Sequence, residues 1–350
     1  MSSDALAQVR ILQEDETIAL PESLACAAGF VGLDHWLTFV HKTYNFPVYR
    51  MVSQVRNEID GWLALVRVKH LIFGDYLTTA PFGSYGGFAY SSRASRDALL
   101  EKARELGHEL GVEHVNVRFD AGEDAPPEGW IQNPVYSTYL VDLVPDPHEL
   151  MTSYSSDHRN HIRKSFKRRF TIKFGHLDLL DDAYEALAQS MHELGSPYHN
   201  KAYVEAMAKS LGSALELAVM YGPQDELVGA GVFILQGGLA TNLHANILRR
   251  FRSDYAGEFL YWMALERYCR RGFHNFDLGR SLIGSGNETF KMKWQPRKKP
   301  LAYWYALMPG QKLPELNQKN PKFQLAISVW KRLPASLVRP LGPLLIRGLA

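Results

Sequence analysis

The sequence holds only two cysteines, Cys26 and Cys269, among 350 residues. Two cannot build a disulfide framework or a cysteine-rich zinc site. Each reads as a small buried apolar residue in a reducing compartment. There is no uninterrupted apolar run of about 18 residues, which excludes a transmembrane helix. Residues 1–10 carry one acid, one base and no apolar stretch, so no export signal is read there and the expected location is cytoplasmic. No G-x-S-x-G elbow occurs, which speaks against an α/β-hydrolase. The glycine-rich run 83–87 follows neither the G-x-x-x-x-G-K-[ST] nor the G-x-G-x-x-G order, so it reads as a tight turn packing Tyr85 against a sheet. Neither His192 with His199 nor His158 with His161 has a further ligand at usual spacing, and no metal is expected. No DNA-reading motif is present.

Charge is distributed unevenly. Residues 1–150 carry a balance of −10 and residues 151–350 a balance of +12. Either an anionic partner meets the second half, or two domains of opposite charge attract each other. The run Val144-Pro145-Asp146-Pro147 marks a boundary. It divides the chain into 1–145, 146–310 and a tail, 311–350. Residues 123–134, with Pro126-Pro127 and Gly129, read as a surface loop before the last strand of the first half.

The two halves repeat one order of elements. In the first, strand-like stretches at 48–56, 62–70 and 71–79 precede the loop 83–87. A helix over 94–110 follows, ended by Gly111, and a strand at 113–119 closes the unit. In the second, strands at 215–221, 227–236 and 239–247 precede the loop 249–257. A helix over 258–271, ended by Gly272, leads to a strand at 274–278. Each half opens with helices. Asp34 is expected to cap one running to about residue 43, Asp181 another over 182–193, and a third covers 201–211. The fold class is therefore α/β with mixed sheets, built from two tandem units.

Several stretches carry a family resemblance. They are the basic helix 157–165, the run Phe276-Asp277-Leu278-Gly279-Arg280-Ser281, and Gly284-Ser285-Gly286 leading to Phe290-Lys291-Met292-Lys293-Trp294. Asn320-Pro321-Lys322-Phe323 and, in the first half, Leu71-Ile72-Phe73-Gly74 and Tyr85-Gly86-Gly87 also fit. Over nearly its whole length the chain resembles the FemAB-type transferases, tandem copies of the GNAT (acyl-CoA N-acyltransferase) fold. Within them it most resembles the FemAB-like proteins associated with exosortase and exopolysaccharide systems. The resemblance implies transfer of an acyl or aminoacyl group to an amine of a cell-envelope precursor of peptidoglycan or exopolysaccharide type. The donor would be aminoacyl-tRNA or acyl-CoA, with no tightly bound cofactor. It also implies that Lys291 lies where the transfer occurs, and that the loop holding Tyr198 and His199 borders the acceptor.

The residues themselves suggest roles. Arg159, Arg163 and Lys167 share one helical face, and with Lys164 they suit the phosphates of a diphosphate-linked precursor or a tRNA; the alternative is a solvated basic helix end. Lys291 follows an apolar residue and, drawn inward, would stabilise an oxyanion. Otherwise its stem covers Trp294. Asp277 would pair with Arg280 or Lys291, accept the amine proton, or simply hold a turn. Asn242, His244 and Asn246 alternate along a strand, which puts all three on one face lining a cleft, with His244 as a possible base. Gly286 lets backbone approach a ligand, beside Phe290 and Trp294. Arg249, Arg250, Arg252 and Tyr255 would meet coenzyme A, but the loop lacks the glycine spacing of a pyrophosphate cradle and Asp254 would repel phosphate.

The tail has five Lys/Arg and no acid from residue 320 onward. Pro334, Pro340 and Pro343 are expected to break any long helix. Such a tail either lies on an anionic membrane surface or packs across the second domain. Two other functions compete with a transferase, a coenzyme-A-dependent N-acyltransferase aside. They are a non-catalytic scaffold binding a glycan-lipid and, ranked below it, a nucleic-acid-binding protein.

Overall fold

The computed structural model describes residues 7–122, 124–314 and 321–350, with backbone alone at 321–323. Glu123 of the expected surface loop and Asn320 of the Asn-Pro-Lys-Phe motif lie outside the described residues. The described residues form two units, one drawn from 7–136, 300–314 and 347–350, the other from 137–299 and 321–346.

The first unit begins with β1 (Gln8–Ile11), α1 (Glu22–Ala28) and α2 (Asp34–Tyr44). Strands β2 (Val48–Val55), β3 (Glu58–His70) and β4 (Gly74–Thr78) follow, then the short β5 (Phe88–Tyr90). Helix α3 (Arg93–Leu110) leads to β6 (His114–Phe119) and a short β7 (Ile131–Gln132). β2, β3 and β4 pair antiparallel and β6 returns parallel to β4. Val115, Val117 and Phe119 alternate inward from β6 onto Leu99, Ala103 and Leu106 of α3, all buried. The glycine-rich loop is tied down by its glycine amides, Gly86 N–H on the Arg118 carbonyl and Gly87 N–H on that of Ala28 (both 2.7 Å).

The second unit starts with β8 (Tyr136–Asp142), α4 (Pro147–Ser153), α5 (Ser156–Phe166) and β9 (Thr171–Gly175). Helices α6 (Leu180–Leu194) and α7 (Lys201–Leu211) precede β10 (Leu215–Tyr221), β11 (Leu227–Gln236) and β12 (Leu239–Ile247). Helix α8 (Ala256–Arg270) follows, then β13 (Asn275–Asp277), β14 (Ser281–Leu282), α9 (Gly286–Met292) and β15 (Arg297–Pro300). The order of the first unit recurs here. Three antiparallel strands are followed by a helix and by β13, which lies parallel to β12. The mixed α/β class and the duplicated order are thus as the sequence implies.

The sequence puts the strand after residue 134 last in the first half, and gives no sign of where the chain's final strand belongs; pairing with β13 carries the former into the second sheet instead. β8 precedes all other elements of its unit, yet it lies beside β13, antiparallel. The chain's last strand, β16 (Ala302–Leu307), returns to the first unit and pairs with β6, matching Trp304 to Val117. Each parallel strand thereby gains an antiparallel neighbour from a distant part of the chain.

Smaller expectations are corrected. Leu33 and Leu179, not Asp34 and Asp181, precede the first turns of α2 and α6, and neither aspartate caps; Asp34 instead pairs with Arg50 at 3.1 Å. Residues 71–73 form an exposed turn rather than strand, with Leu71 and Ile72 fully or largely exposed. Cys26 is exposed, while Cys269 is buried. The tail forms α10 (Pro321–Trp330) and α11 (Ala335–Ile346), and α11 runs through Pro340 and Pro343. Those prolines remove two intrahelical donors but do not end so short a helix.

Trp304 is fully buried and meets Phe119 edge-on at 4.8 Å. Trp304→Ala should cost about 3–5 kcal/mol. Urea unfolding measures the loss, and faster hydrogen exchange along residues 114–119 should locate it in the first unit's sheet.

Candidate functional site

The site is built where β12 and β13 part. The β11–β12 register matches Phe233 to Asn242 and Val232 to His244, leaving Leu243 unopposed. This bulge resets the alternation of side chains. Asn242 shares the face of Phe233, which packs on α8, and its Nδ2 donates to Tyr261 Oη (2.8 Å) and to the Leu278 carbonyl (3.3 Å). His244 and Asn246 turn to the other face, where the His244 ring meets Tyr198 edge-on at 5.6 Å. The expectation that all three share one face is corrected, because the extra residue shifts the period by one.

Parallel pairing of β12 and β13 spans three residue pairs and stops at Thr241 with Asp277. Gly279 then turns the chain at φ +77°, a conformation that favours glycine; a Cβ there would also lie 3.0 Å from the Asn242 carbonyl oxygen. Asp277 is buried at 1% exposure. Its Oδ1 accepts from Thr138 Oγ1 at 2.5 Å and from Gly279 N–H at 2.8 Å. This carboxylate holds the turn.

Into this turn comes Lys291, from α9. It is 3% exposed, and its Nζ donates to the carbonyls of Gly279 (2.7 Å) and Arg280 (2.9 Å). The ammonium also stands over the Tyr139 ring at 5.6 Å. Burial lowers its pKa from the ordinary 10.5 to about 7; Asp277 works against that fall and the Arg280 charge adds to it. The reading of Lys291 as drawn inward is therefore the one that fits, and the surface-lysine alternative does not.

Helix α9 is held by groups whose signal was legible but overlooked. Ser285 caps its start and Glu288 stands three residues on, the S-x-x-E capping pattern. Glu288 accepts from Tyr139 Oη at 2.7 Å and pairs with Lys298 at 2.6 Å, and Gly284 N–H completes its shell. Lys298, Gly284 N–H and Tyr139 hold its pKa at about 2. Gly286 is the exposed first residue of α9, with nothing near its Cβ position. Phe290 meets Tyr261 edge-on, and Trp294 is fully buried against His158 at 4.4 Å. In the sequence His158 entered only beside His161, as a pair with no further metal ligand. It is 1% exposed, its pKa is lowered to about 4 by burial first, and neither ring nitrogen finds a partner among the described residues.

The basic helix is partly committed to the fold. Arg159 donates to the carbonyls of Thr152 (3.0 Å) and Tyr154 (2.6 Å), tying down the end of α4. Arg163 and Lys164 are exposed, with the Lys164 ammonium 5.5 Å from the Tyr255 ring, which stacks on His161 at 4.8 Å. Lys167 is the C-cap residue rather than part of a helical face. In the loop before α8, Arg250 reaches the Leu227 carbonyl (3.3 Å) and Arg252 that of Ile247 (3.2 Å), while Arg249 N–H donates to Glu193 (2.6 Å). Asp254 is paired with Arg168 at 2.9 Å, which offsets the charge expected to repel a phosphate.

On the opposite face, His199 is buried and stacked on Tyr203 at 3.5 Å, and its pKa is pushed well below the ordinary value by burial and by His244. His244 itself is lowered to about 4 by burial. Both are neutral at pH 7. Tyr198 and His199 line a cavity of about 440 Å³ with Tyr184, His192 and Val338. Asn246 lies on the His244 face, opposite Ala230. Most of the residues with an expected catalytic or substrate role fall into three groups. Asn242, Asp277, Arg280 and Lys291 gather at the strand break, His244 with Tyr198 and His199 lie across the sheet, and of the α5 cations Lys164 stands over Tyr255. Among the described residues no three His, Cys, Asp or Glu side chains gather as metal ligands.

Comparison with known proteins agrees with this architecture. Residues 153–292 match the model of the acetyltransferase (GNAT) domain family. No curated protein matches the chain. Among solved structures, FemX superposes with a TM-score of 0.61 at 12% identity, over 85% of this chain and 94% of that one. L-PGS from Bacillus licheniformis gives 0.51 at 13% identity, over 78% and 87%. A tandem GNAT protein from the clavulanic acid biosynthesis pathway gives 0.50 at 12%, over 75% and 83%. At such identities the likeness establishes the fold, which is a tandem pair of GNAT-like units.

The Lys291 environment makes a stability prediction. The folded protein binds this proton less tightly than the unfolded chain, so stability should rise with pH between about 7 and 10.5. Urea midpoints of the wild type relative to Lys291→Met, taken across that window, should show the wild type gaining as pH rises.

Proposed function

We propose that the second unit is a transferase that moves an acyl or aminoacyl group onto an amine. The amine would belong to an anionic, diphosphate-linked precursor of peptidoglycan or exopolysaccharide type. The observation that carries this reading is the nearly buried Lys291 ammonium, held by two carbonyls beside a buried carboxylate, within the GNAT-matching segment. The resemblance to FemAB-type transferases adds aminoacyl-tRNA as donor and an envelope precursor as acceptor.

The chemistry forms a C–N bond, breaks the donor's C–O or C–S bond, and releases the amine's proton. Negative charge gathers on the carbonyl oxygen on the way. A lysine ammonium has three donors, and two of Lys291's are spent on Gly279 and Arg280. The third is available to that oxygen, already desolvated and needing little reorganisation. Asp277 keeps the turn and the ammonium in place, and it is the nearer candidate to take the amine proton. His244, neutral and across the sheet, belongs with Tyr198 and His199 on the acceptor side. Arg163 and Lys164 would meet the precursor's phosphates. Orientation of two bound substrates supplies most of the remaining rate.

A second donor, acyl-CoA, is favoured by one observation. With Asp254 paired to Arg168, the loop before α8 presents its arginines without an unpaired carboxylate beside them. Calorimetric titration with acetyl-CoA and a long-chain acyl-CoA separates the two. Saturable binding that is lost in Arg249→Ala/Arg250→Ala/Arg252→Ala selects coenzyme A, and no heat with no thermal shift leaves aminoacyl-tRNA as donor or the non-catalytic binding protein, which turnover with charged tRNA and a lipid-linked precursor tells apart.

Lys291→Ala should lower turnover about a hundredfold to a thousandfold, with an unchanged circular dichroism spectrum. Activity at the wild-type level in that variant would remove Lys291 from the reaction. Because the protonated form does the work in this scheme, kcat should fall as pH rises through about 7.

A further inference from the structure

Two helices late in the chain carry large apolar side chains on the outside. In α10, Leu325 and Val329 stand one turn apart at 68% and 52% exposure. In α11, Leu337, Leu341 and Leu344 fall at i, i+4 and i+7, at 48%, 42% and 58%. The other side of α11 is already covered. Val338 is buried, and a Cβ at Gly342 would come within 2.7 Å of the Tyr198 carbonyl oxygen. A helix at a protein surface ordinarily turns polar residues outward; α11 is apolar on both sides.

The charge carried by this part of the chain has one sign. Residues 321–350 include five Lys/Arg and no Asp or Glu. Lys331 and Arg332, between the two helices, are exposed. Arg339 is paired with Glu185 of α6, an ion pair that links α11 to the unit beneath it. An apolar stripe on helices whose exposed charges, Lys331 and Arg332 among them, are cations, and whose neighbouring Glu185 is already paired, complements an anionic bilayer surface, where apolar side chains enter the acyl boundary and cations meet headgroups. A spanning role is excluded. No helix among the described residues is long and apolar enough to cross a membrane, and the 12 residues of α11 reach roughly 18 Å against about 30 Å of hydrocarbon.

We infer that α10 and α11 dock the second unit on an anionic membrane surface, lying in its plane. Leu325, Val329, Leu337, Leu341 and Leu344 enter the headgroup–acyl boundary, and Lys331 and Arg332 face the lipid phosphates. The inference stands apart from the transferase reading, since it concerns binding to a surface and not turnover.

The test is flotation of the full chain with vesicles of phosphatidylcholine alone, or with about 30% phosphatidylglycerol. The expected result is partition into the anionic vesicles only, weakening as salt is raised. Lys331→Ala and Arg332→Ala should each reduce it about fivefold. Leu337→Asp/Leu341→Asp should abolish it while the thermal midpoint is kept, since both positions are exposed. If that variant is destabilised, the cation variants and the salt titration of the wild type still decide. No partition, or equal partition into neutral vesicles, overturns the inference. So does a dimer on size-exclusion chromatography that the leucine variant disperses without any vesicle binding, which would assign the face to a second copy.

Discussion

Burying the Lys291 ammonium costs several kcal/mol of lost hydration, and the surrounding backbone is shaped to offset it. Two carbonyls point at Nζ because the chain turns sharply after β13. The turn needs the positive φ of Gly279 and the carboxylate of Asp277, which takes the Gly279 N–H. Asp277 is in turn held by Thr138 from β8, the strand paired beside β13. Remove any of these and the cation loses a partner it cannot replace from water. The bulge in β12 answers to the same constraint, because Asn242 ties Tyr261 of α8 to the Leu278 carbonyl next door.

Charge elsewhere in the second unit is largely used for structure. Glu216 gathers Arg267, Arg271 and the Tyr268 hydroxyl. Arg297 forks onto Asp142, and Arg159 anchors α4. The excess of basic residues therefore overstates what is offered to a ligand. It narrows toward side chains such as Arg163 and Lys164, which remain exposed on α5.

Periodicity carried much of this fold. Strands β10, β11 and β12 and helix α7 fall where alternation and the 3.6-residue repeat put them. The capping aspartates misled because Asp34 and Asp181 already sit inside the first helical turn. The faces of Asn242 and His244 were not legible, because a bulge inserts one residue without changing composition. Lys291 was legible as a candidate through its motif, but its burial depends on carbonyls contributed by residues 279 and 280. The partners of β8 and β16 were beyond reach for a related reason. Strand pairing over more than a hundred residues leaves no local trace in either strand.

That last feature bears on how the protein is made. As the chain leaves the ribosome, β6 emerges early and its neighbour β16 only after every strand of the second unit. For that interval the far edge of β6 has unpaired amides and carbonyls, the template on which nascent chains aggregate. A shielding chaperone, or swift synthesis of the intervening 182 residues between Phe119 and Ala302, would be worth most during that wait.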